Sequence, residues 1–300
     1  MNVGRYTQGV IYAVLAYLTW GILPFFWKHL DTIPAEKVLA HRILWTSILS
    51  LALCLLIKRK YLRKYFFDTK SLVRLTVTGM LVSINWGVFI YAVNSEQLVE
   101  AALGYFLNPL VSILLGMVFL GEKLNKIQLA AFLLAMAGVA YLTINYGHFP
   151  WMAIILALTF GFYGLLKKKM NYDSMSALTV ETTLIAPIAL AYLIFGASDT
   201  GTTVATQQFS VAVLLVLAGV VTALPLYWFG MATAKIPLYS IGFFQYIAPI
   251  INLFIGLYIY HEPFTITHTV SFSFIWAGLA LYIGDMTVKI FVYNRRKGSK

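Results

Sequence analysis

The sequence has little charge and almost no cysteine. Only 11% of its 300 residues are charged, whereas a soluble domain has about 25%. The single cysteine, Cys54, cannot form a disulfide or a cysteine-based metal site within one chain. The five histidines are scattered, and the sequence has neither a zinc-protease motif nor a nucleophile-elbow motif. These absences exclude an intrachain disulfide framework, and they give no support for an enzyme, a metal or a cofactor.

Long apolar runs make up most of the chain. Hydrophobic residues are 60% of the total, and the mean hydropathy is +0.81. So much apolar surface suits contact with lipid, where a spanning helix needs about 20 mostly apolar residues. The sequence therefore predicts an all-α membrane protein of about ten transmembrane helices without a soluble domain. The ten predicted spans are Thr7–Trp27, Ala35–Ile57, Leu72–Asn94, Leu98–Leu120, Ile127–Asn145, Pro150–Leu166, Met175–Phe195, Phe209–Thr233, Pro237–Tyr260 and Val270–Val292.

The positive charge is confined to short connections and to the chain ends. A net charge of +11 would suggest nucleic acid in a soluble protein, but here it indicates topology. Nineteen Lys and Arg residues fall in alternate loops on the side of the N-terminus, and only Lys28 and Lys37 fall on the other side. This bias predicts a multi-pass plasma (inner) membrane protein with both termini cytoplasmic, a retained first helix, and a basic cytoplasmic tail at 293–300.

The two halves of the chain resemble each other at an offset of 140 residues. Seven identities fall within 109–142 and 249–282, including Pro109 with Pro249 and Gly138 with Gly278. Each half has five predicted spans, so the second copy would enter the membrane upside down. The sequence therefore predicts two inverted five-helix repeats, at 7–145 and 150–292. Inverted repeats are typical of secondary transporters that bind substrate near the membrane midplane.

Several short motifs resemble one transporter family. They read YLTWGILPFFW at 17–27, AEKVLAHR at 35–42, NWGVFIYAVN at 85–94, GYFLNP at 104–109 and GFFQYIAP at 242–249. In order and spacing they are similar to the RarD branch of the EamA-type drug/metabolite transporters. The resemblance covers nearly the whole chain. It implies a ten-helix fold with spans three, four, eight and nine around a central cavity, and transport driven by a gradient without ATP. It does not name the substrate.

Two charged residues lie inside predicted spans, where charge is costly and therefore functional by default. Glu181 is about two turns into span seven, and we predict either a proton-coupling carboxylate or a structural partner of a buried amine. Arg42 is about two turns into span two. It could bind an anionic substrate group, pair with Glu181 or Glu36, or reach the headgroups.

Polar and aromatic residues near the middle of the spans are the predicted lining of a substrate cavity. Small and polar residues follow one face of spans four and nine at spacings of three and four, and each of these spans contains a proline that frees a carbonyl. Close helix packing is the alternative explanation for these stripes, and core packing is the alternative for the aromatics. With Arg42, the predicted lining residues are Trp20, Asn85, Trp86, Tyr91, Asn108, Ser112, Tyr227, Trp228, Gln245 and Asn252.

Three further features receive structural interpretations. Glu122 and Glu262 end matching spans and are expected to cap turns. Lys167–Lys169 is interpreted as a topological anchor. The small residues of span five, Ala131, Ala135 and Gly138, are expected to form a packing seam for folding or dimerisation.

The sequence as a whole predicts a secondary active transporter that moves a small organic metabolite or drug by alternating access. Export coupled to protons or exchange is favoured, and an uptake permease of the same fold is the alternative. An intramembrane enzyme or a scaffold is less favoured. The expected partners are a small-molecule substrate and the lipid bilayer, with the protein as a monomer or homodimer.

Overall fold

The structure, a computed structural model, describes residues 3–95, 97–195, 209–259 and 265–298. All regular secondary structure in these ranges is helical. Glu262 and the long predicted connection at 196–208 lie outside the described residues. The helices are α1 Val3–Lys28, α2 Ala35–Ile57, α3 Arg59–Phe67, α4 Thr69–Asn94, α5 Leu98–Leu120, α6 Lys126–Tyr146, α7 Trp151–Met170, α8 Ser174–Phe195, α9 Phe209–Thr233, α10 Leu238–Gln245, α11 Ile247–Tyr258 and α12 Ile266–Gly298.

Ten segments of the described chain are helical, long and apolar enough to cross a membrane. Nine are single helices, and the ninth in chain order, Leu238–Tyr258, consists of α10 and α11 together. Their outward surfaces carry large exposed apolar side chains, such as Leu56 and Ile188, as a lipid-facing surface requires. The prediction of an all-α membrane protein with ten spans is confirmed.

The connection at 58–71 contains a helix that span analysis did not predict. α3 is amphipathic: it exposes basic residues and buries Leu62 and Tyr65. The ring of Tyr65 stacks on Tyr172 at 4.8 Å between centroids, and the Tyr65 hydroxyl accepts a hydrogen bond from the backbone N–H of Asp173. A nine-residue basic segment is too short and too polar to give a span signal, but one apolar face is enough to fold it onto the bundle.

The hydrogen-bond ladder of the ninth span is interrupted at a single residue that keeps right-handed helical angles (φ −65°, ψ −16°), whereas the sequence predicted one uninterrupted helix from Pro237 to Tyr260. The break falls at Tyr246, between α10 and α11. Pro249 lacks an N–H, and its ring crowds the carbonyl of the residue four positions earlier, which is Gln245. Pro109 has the matching position in α5, yet α5 stays continuous. We have no physical account of this difference between the two prolines.

α6 and α12 pack closely against each other, and this packing depends on two glycines. A Cβ at Gly138 would lie 2.5 Å from the carbonyl oxygen of Ser271, and a Cβ at Gly278 would lie 2.6 Å from that of Ala131. Only glycine permits so close an approach of two backbones. The predicted small-residue seam of span five therefore packs against α12 of the same chain.

The bundle has two ends, which we name by the chain. The terminal end holds the start of α1, the α2–α3 junction and the turn at 171–173, and the distal end holds the connections at 29–34 and 147–150. The interior is surrounded by α1, α2, α4, α5, α7, α9 and the α10–α11 pair. Each runs from one end to the other, so a residue's place along its helix gives its depth.

Candidate functional site

A cavity of about 200 Å³, which we call the chamber, lies within the bundle. Most of its wall is drawn from the second halves of α1 and α4 and from the first halves of α2, α5 and α7. The rest comes from Thr222 and Leu226, just past the middle of α9, and from the α10–α11 pair. Because these helices alternate in direction, all those halves point towards the distal end. The chamber therefore lies around the middle of the bundle and extends towards the distal end.

A second cavity, the vestibule, adjoins the chamber and has a volume of about 610 Å³. It extends to Tyr146 at the end of α6 and to Thr265 just before α12, which are both at the distal end. The chamber therefore shares part of its wall with a wider space that reaches that end of the bundle. The residues that line both cavities are Pro24, Phe89, Tyr105, Pro249 and Asn252.

Aromatic side chains make up much of the chamber wall. Trp20 packs against Tyr17 at 5.3 Å and Phe160 at 5.6 Å between ring centroids. Such tilted and edge-on pairs hold large rings in fixed orientations at little entropic cost. The further aromatic residues of the wall are Trp27, Trp86, Phe89 and Tyr105.

Arg42 is the cation of the chamber wall. Its guanidinium carbon lies 4.6 Å from the ring centre of Trp27 and 5.2 Å from that of Trp86. Its Nε donates a hydrogen bond of 3.0 Å to the hydroxyl of Thr222. The predicted pairing of Arg42 with Glu181 or Glu36 is wrong: no carboxylate of the described residues forms a salt bridge with Arg42. The two indoles and one hydroxyl hold the guanidinium in place without neutralising it.

Amide side chains supply the polar part of the chamber wall. The Asn85 amide donates to the Leu156 carbonyl at 2.8 Å and to the Thr159 hydroxyl at 3.0 Å, which joins α4 to α7. Gln245 accepts a hydrogen bond of 3.2 Å from Ser112. This bond places Ser112 behind the wall, where it orients Gln245 beside the break in the ninth span.

Two other amide oxygens and one hydroxyl lack a hydrogen bond to any of the described residues. Asn108 Oδ1, Asn252 Oδ1 and the hydroxyl of Tyr17 are buried without a partner among the described residues, and all three residues line the chamber. A buried polar atom without a partner carries a desolvation penalty of about 1–3 kcal/mol. The chamber wall therefore contains three residues whose hydrogen-bonding capacity is not met by the described residues.

The structure brings together seven of the eleven residues predicted to line a cavity and places four elsewhere. Ser112 lies behind the wall. Tyr91 is more than half exposed and packs on Trp151 at the distal end of α4. Tyr227 and Trp228 are half-buried and pack against the main hydrophobic core rather than the chamber. The seven in the wall are Trp20, Arg42, Asn85, Trp86, Asn108, Gln245 and Asn252.

Glu181 lies outside the chamber and is paired with Lys167. The Lys167 ammonium donates to both carboxylate oxygens at 2.9 Å, and both side chains are at least 95% buried. Thr78 donates to the same carboxylate at 2.6 Å and Tyr163 at 3.3 Å. The interpretation of Lys167 as part of an anchor at the membrane surface is therefore wrong. Its alkyl stem runs inward because a buried carboxylate offers it two acceptors.

The carboxylate at the end of span four has the expected capping role. Glu122 accepts hydrogen bonds from the backbone N–H groups of Leu238 at 2.8 Å and Tyr239 at 2.9 Å. It therefore satisfies the free donors at the start of α10, where negative charge is also favoured by the helix dipole.

Glu100 has a similar role that sequence reasoning missed. It is buried and accepts from the backbone N–H of Met152 at 2.7 Å and from the hydroxyl of Tyr146 at 3.3 Å. The sequence could have indicated this role, because Glu100 is a carboxylate in the first turn of an apolar helix.

An ion pair at the terminal end joins α3 to the turn before α8. Lys58 lies 3.1 Å from Asp173, and that carboxylate also accepts from the backbone N–H and hydroxyl of Ser176. Burial works to raise the pKa of Asp173, but its hydrogen bonds to Ser176 and Lys58 outweigh burial and lower it. The same hydrogen bond raises the pKa of Lys58.

A ten-span helical bundle with an internal chamber and a cation in its wall suits a multi-pass membrane transporter. The sequence profile of the EamA-like transporter family matches residues 7–144 and again residues 150–284. The chain belongs to this family, and its relatives place it in the RarD branch, as the motifs predicted.

Three curated relatives illustrate the similarity. The uncharacterized transporter YojE of Bacillus subtilis is 44% identical over 92% of this chain and 93% of its own length. Protein RarD of Escherichia coli is 36% identical over the whole of both chains. The chloramphenicol-sensitive protein RarD of Pseudomonas aeruginosa is 28% identical over 91% of this chain and 93% of its own.

A solved structure supports the fold. It is 16% identical to this chain and superimposes with a TM-score of 0.70, over 92% of this chain and 97% of its own. At that identity the likeness concerns the arrangement of helices alone.

Proposed function

We propose that this protein is a secondary active transporter that moves a small organic molecule across the plasma membrane by alternating access. The observation that carries the proposal is the chamber inside a membrane-spanning bundle, which shares five wall residues with the vestibule at the distal end. In the proposal the chamber opens through the vestibule and is closed at the terminal end. A solute could enter such a chamber from one side of the membrane only. Release to the other side then requires the opposite end to open.

Side-chain contacts close the terminal end. Beneath the chamber, Phe160, Tyr163 and Phe229 pack together, with the stacked rings of Tyr163 and Phe229 5.8 Å apart. The Lys167–Glu181 pair lies directly behind Tyr163. Nearer the surface, Lys168 donates to the backbone carbonyl of Ile236 at 2.6 Å, which ties α7 to the start of α10. In the proposed cycle these contacts break as the contacts at the distal end form.

In the proposal, an inverted repeat gives the physical reason for two states of similar energy. The same family profile matches both halves of the chain. The close contacts of α6 and α12 are also reciprocal, because Gly138 meets Ser271 while Gly278 meets Ala131, and the numbers in the two pairs correspond at the offset of 140. We propose that the halves at 7–145 and 150–292 are inverted repeats that exchange conformations about the α6–α12 pair.

Proton coupling at Glu181 is one proposal for the energy source, and a structural role is the other. A coupling carboxylate must exchange its proton with water as the transporter changes state. Glu181 is sealed by an amine and two hydroxyls, so protonation requires that the ion pair with Lys167 first break. This geometry favours the structural role in the state described here.

The topology proposal places both termini in the cytoplasm, in line with the clustering of Lys and Arg at the terminal end. The chamber then opens to the outside. Export is the favoured direction and uptake is the alternative. The oligomeric state is proposed as monomer or homodimer.

Flux into liposomes reconstituted with the purified protein tests the proposed function. A panel of labelled organic solutes, with and without a pH gradient, should show protein-dependent transport of at least one member. Ala248→Trp fills the chamber and should abolish this flux. The matched control Ala130→Trp adds the same bulk on an exposed face of α6 and should leave it intact. Equal flux in both variants, or none above protein-free liposomes, would contradict the proposal.

A further inference from the structure

The chamber wall carries one positive charge that the described protein does not neutralise. Arg42 faces the chamber, and its hydrogen-bond partner in the wall is the neutral Thr222. Charge inside a membrane bundle is ordinarily paired, as Lys167 is with Glu181. The planar guanidinium also presents its donors in a fork that matches a carboxylate in two parallel hydrogen bonds.

The aromatic wall would suit an organic cation if Arg42 were absent, because indole faces attract cations. Here the guanidinium already occupies the positions near Trp27 and Trp86. A second cation in a cavity of about 200 Å³ would lie close to the first and be repelled in a medium of low dielectric. The remaining rings, including Trp20 and Phe160, therefore serve as a surface for an apolar or aromatic body.

Three polar atoms without partners complete the description of the ligand. Asn108 is only 6% exposed and Tyr17 only 2% exposed, yet Asn108 Oδ1 and the Tyr17 hydroxyl have no partner among the described residues. Asn252 Oδ1 also lacks a hydrogen-bond partner among the described residues, and Asn252 lines the chamber together with Pro249. The two amide oxygens are acceptors and need an N–H or O–H donor.

We infer that the chamber binds organic carboxylates that combine an anionic group held by Arg42, an apolar or aromatic body, and an N–H or O–H donor for Asn108 or Asn252. This inference rests on the proposed function, since it names the class of solute that the transporter carries. The anionic group lies against α2, and the donor lies against α5 and α11.

Three probes with the same indole body isolate the charge. Indole-3-acetate is the anion, indole-3-acetamide is its neutral counterpart and tryptamine is the cation, and all three carry the ring N–H donor. Equilibrium dialysis against the purified full-length protein should show that the anion binds about tenfold to a hundredfold more tightly than the amide. Tryptamine should bind more weakly than either. The pair 3-phenylpropionate and 3-phenylpropionamide repeats the comparison without the ring donor and should show the same preference at lower affinity.

Two variants of Arg42 and one control variant test whether Arg42 causes the preference for the anion over the amide. Arg42→Gln should reduce the preference for anion over amide to less than about threefold, and Arg42→Lys should leave an intermediate preference because it keeps the charge but not the fork. Arg74→Gln removes an exposed arginine at the terminal end of α4 and should leave the preference unchanged.

The possible results separate this inference from the proposed function. An anion that binds no better than its amide in both series overturns the inference, even if Arg42→Gln does not fold. Tighter binding of tryptamine overturns it as well. If neutral probes cross liposomes without any preference for the anion, the inference fails and transport stands. If the anion binds with the expected preference but no solute crosses, the inference stands and the proposed transport fails.

Discussion

Arg42 and Lys167 are both cations inside the bundle, and the structure satisfies them in opposite ways. Lys167 is sealed against Glu181 with two further donors around the carboxylate. Arg42 rests on two indole rings and one hydroxyl, beside open space. The first arrangement is complete without a ligand, whereas the second leaves a charge free to bind one. The comparison indicates that burial of charge alone does not identify a substrate site, and that the accompanying space and partners must be considered.

The largest expected effect comes from removing one member of the sealed pair. Lys167→Met leaves Glu181 as a bare charge in a dry site, which costs about 3–5 kcal/mol in soluble proteins. We expect a strong loss of expression and of thermal stability in detergent. The double variant Lys167→Met with Glu181→Leu removes both charges and should recover most of the loss.

Glu181→Gln distinguishes the structural role from proton coupling. If the role of Glu181 is structural, Glu181→Gln leaves the charge of Lys167 unpaired. The variant should then be nearly as unstable as Lys167→Met. A stable Glu181→Gln variant that transports without its pH-gradient dependence would instead identify Glu181 as the coupling group and break the contrast with Arg42.

Removing the other cation should cost much less stability. Arg42→Gln loses one hydrogen bond and two cation–π contacts but leaves no carboxylate of the described residues without its partner. We expect a loss of about 1–2 kcal/mol at most, measured as the shift of the unfolding midpoint in the same detergent. Destabilisation as large as that of Lys167→Met would indicate a structural role for Arg42 and remove the distinction between the two cations.

The cap on the broken span should have a smaller effect. Glu122→Ala leaves the N–H groups of Leu238 and Tyr239 without their acceptor and should cost about 1 kcal/mol. Glu122→Gln keeps an acceptor oxygen and should cost less. Thermal unfolding of both variants measures the difference, and equal losses would show that charge rather than hydrogen bonding holds the start of α10.

The ion pair at the terminal end should contribute least. Lys58 is more than a third exposed, so its pairing with Asp173 is screened by solvent and should be worth less than about 0.5 kcal/mol. Asp173→Asn keeps the acceptor for Ser176 and loses only the ion pair. The lowered pKa of Asp173 means that its contribution is present above its unfolded pKa and is lost as the pH falls through the folded value. A pH titration of the unfolding midpoint below the ordinary carboxyl pKa of 3.8 should therefore show a small loss in the wild type that Asp173→Asn lacks.

The sequence was sufficient for the spans but only partly sufficient for the site. Hydropathy located all ten spans, because a lipid-facing helix must be apolar over a fixed length. Hydropathy did not find α3, because that helix does not span the membrane and is not bound by the length and hydropathy requirement. It also did not find the interruption at Tyr246, which depends on how the crowding by Pro249 is relieved. Mid-span polar residues such as Asn85 and Asn108 were predictable as interior, because lipid offers them no partner.

Other parts of the site depended on contacts that one helix does not encode. The partner of Glu181 could not be chosen from sequence, because Lys167 is in a run of three lysines and only the packing of α7 on α4 turns it inward. Thr222 accepts the hydrogen bond from Arg42. In the sequence it cannot be told apart from the many threonines of apolar helices whose hydroxyls bond only the backbone of their own helix. Tyr227 and Trp228 had the composition of a binding site, but their faces of α9 pack into the core.

Accessibility of the chamber to an aqueous thiol reagent tests the central claim most directly. In a Cys54→Ser background, Asn252→Cys places a thiol in the wall shared by chamber and vestibule, and Thr182→Cys places one beside Glu181 in the sealed region. A membrane-impermeant maleimide applied to the distal side should react quickly with Asn252→Cys, and indole-3-acetate should slow that reaction. Thr182→Cys should react slowly from either side. Equal protection of both thiols, or reaction of Asn252→Cys only from the terminal side, would contradict a binding chamber that opens at the distal end.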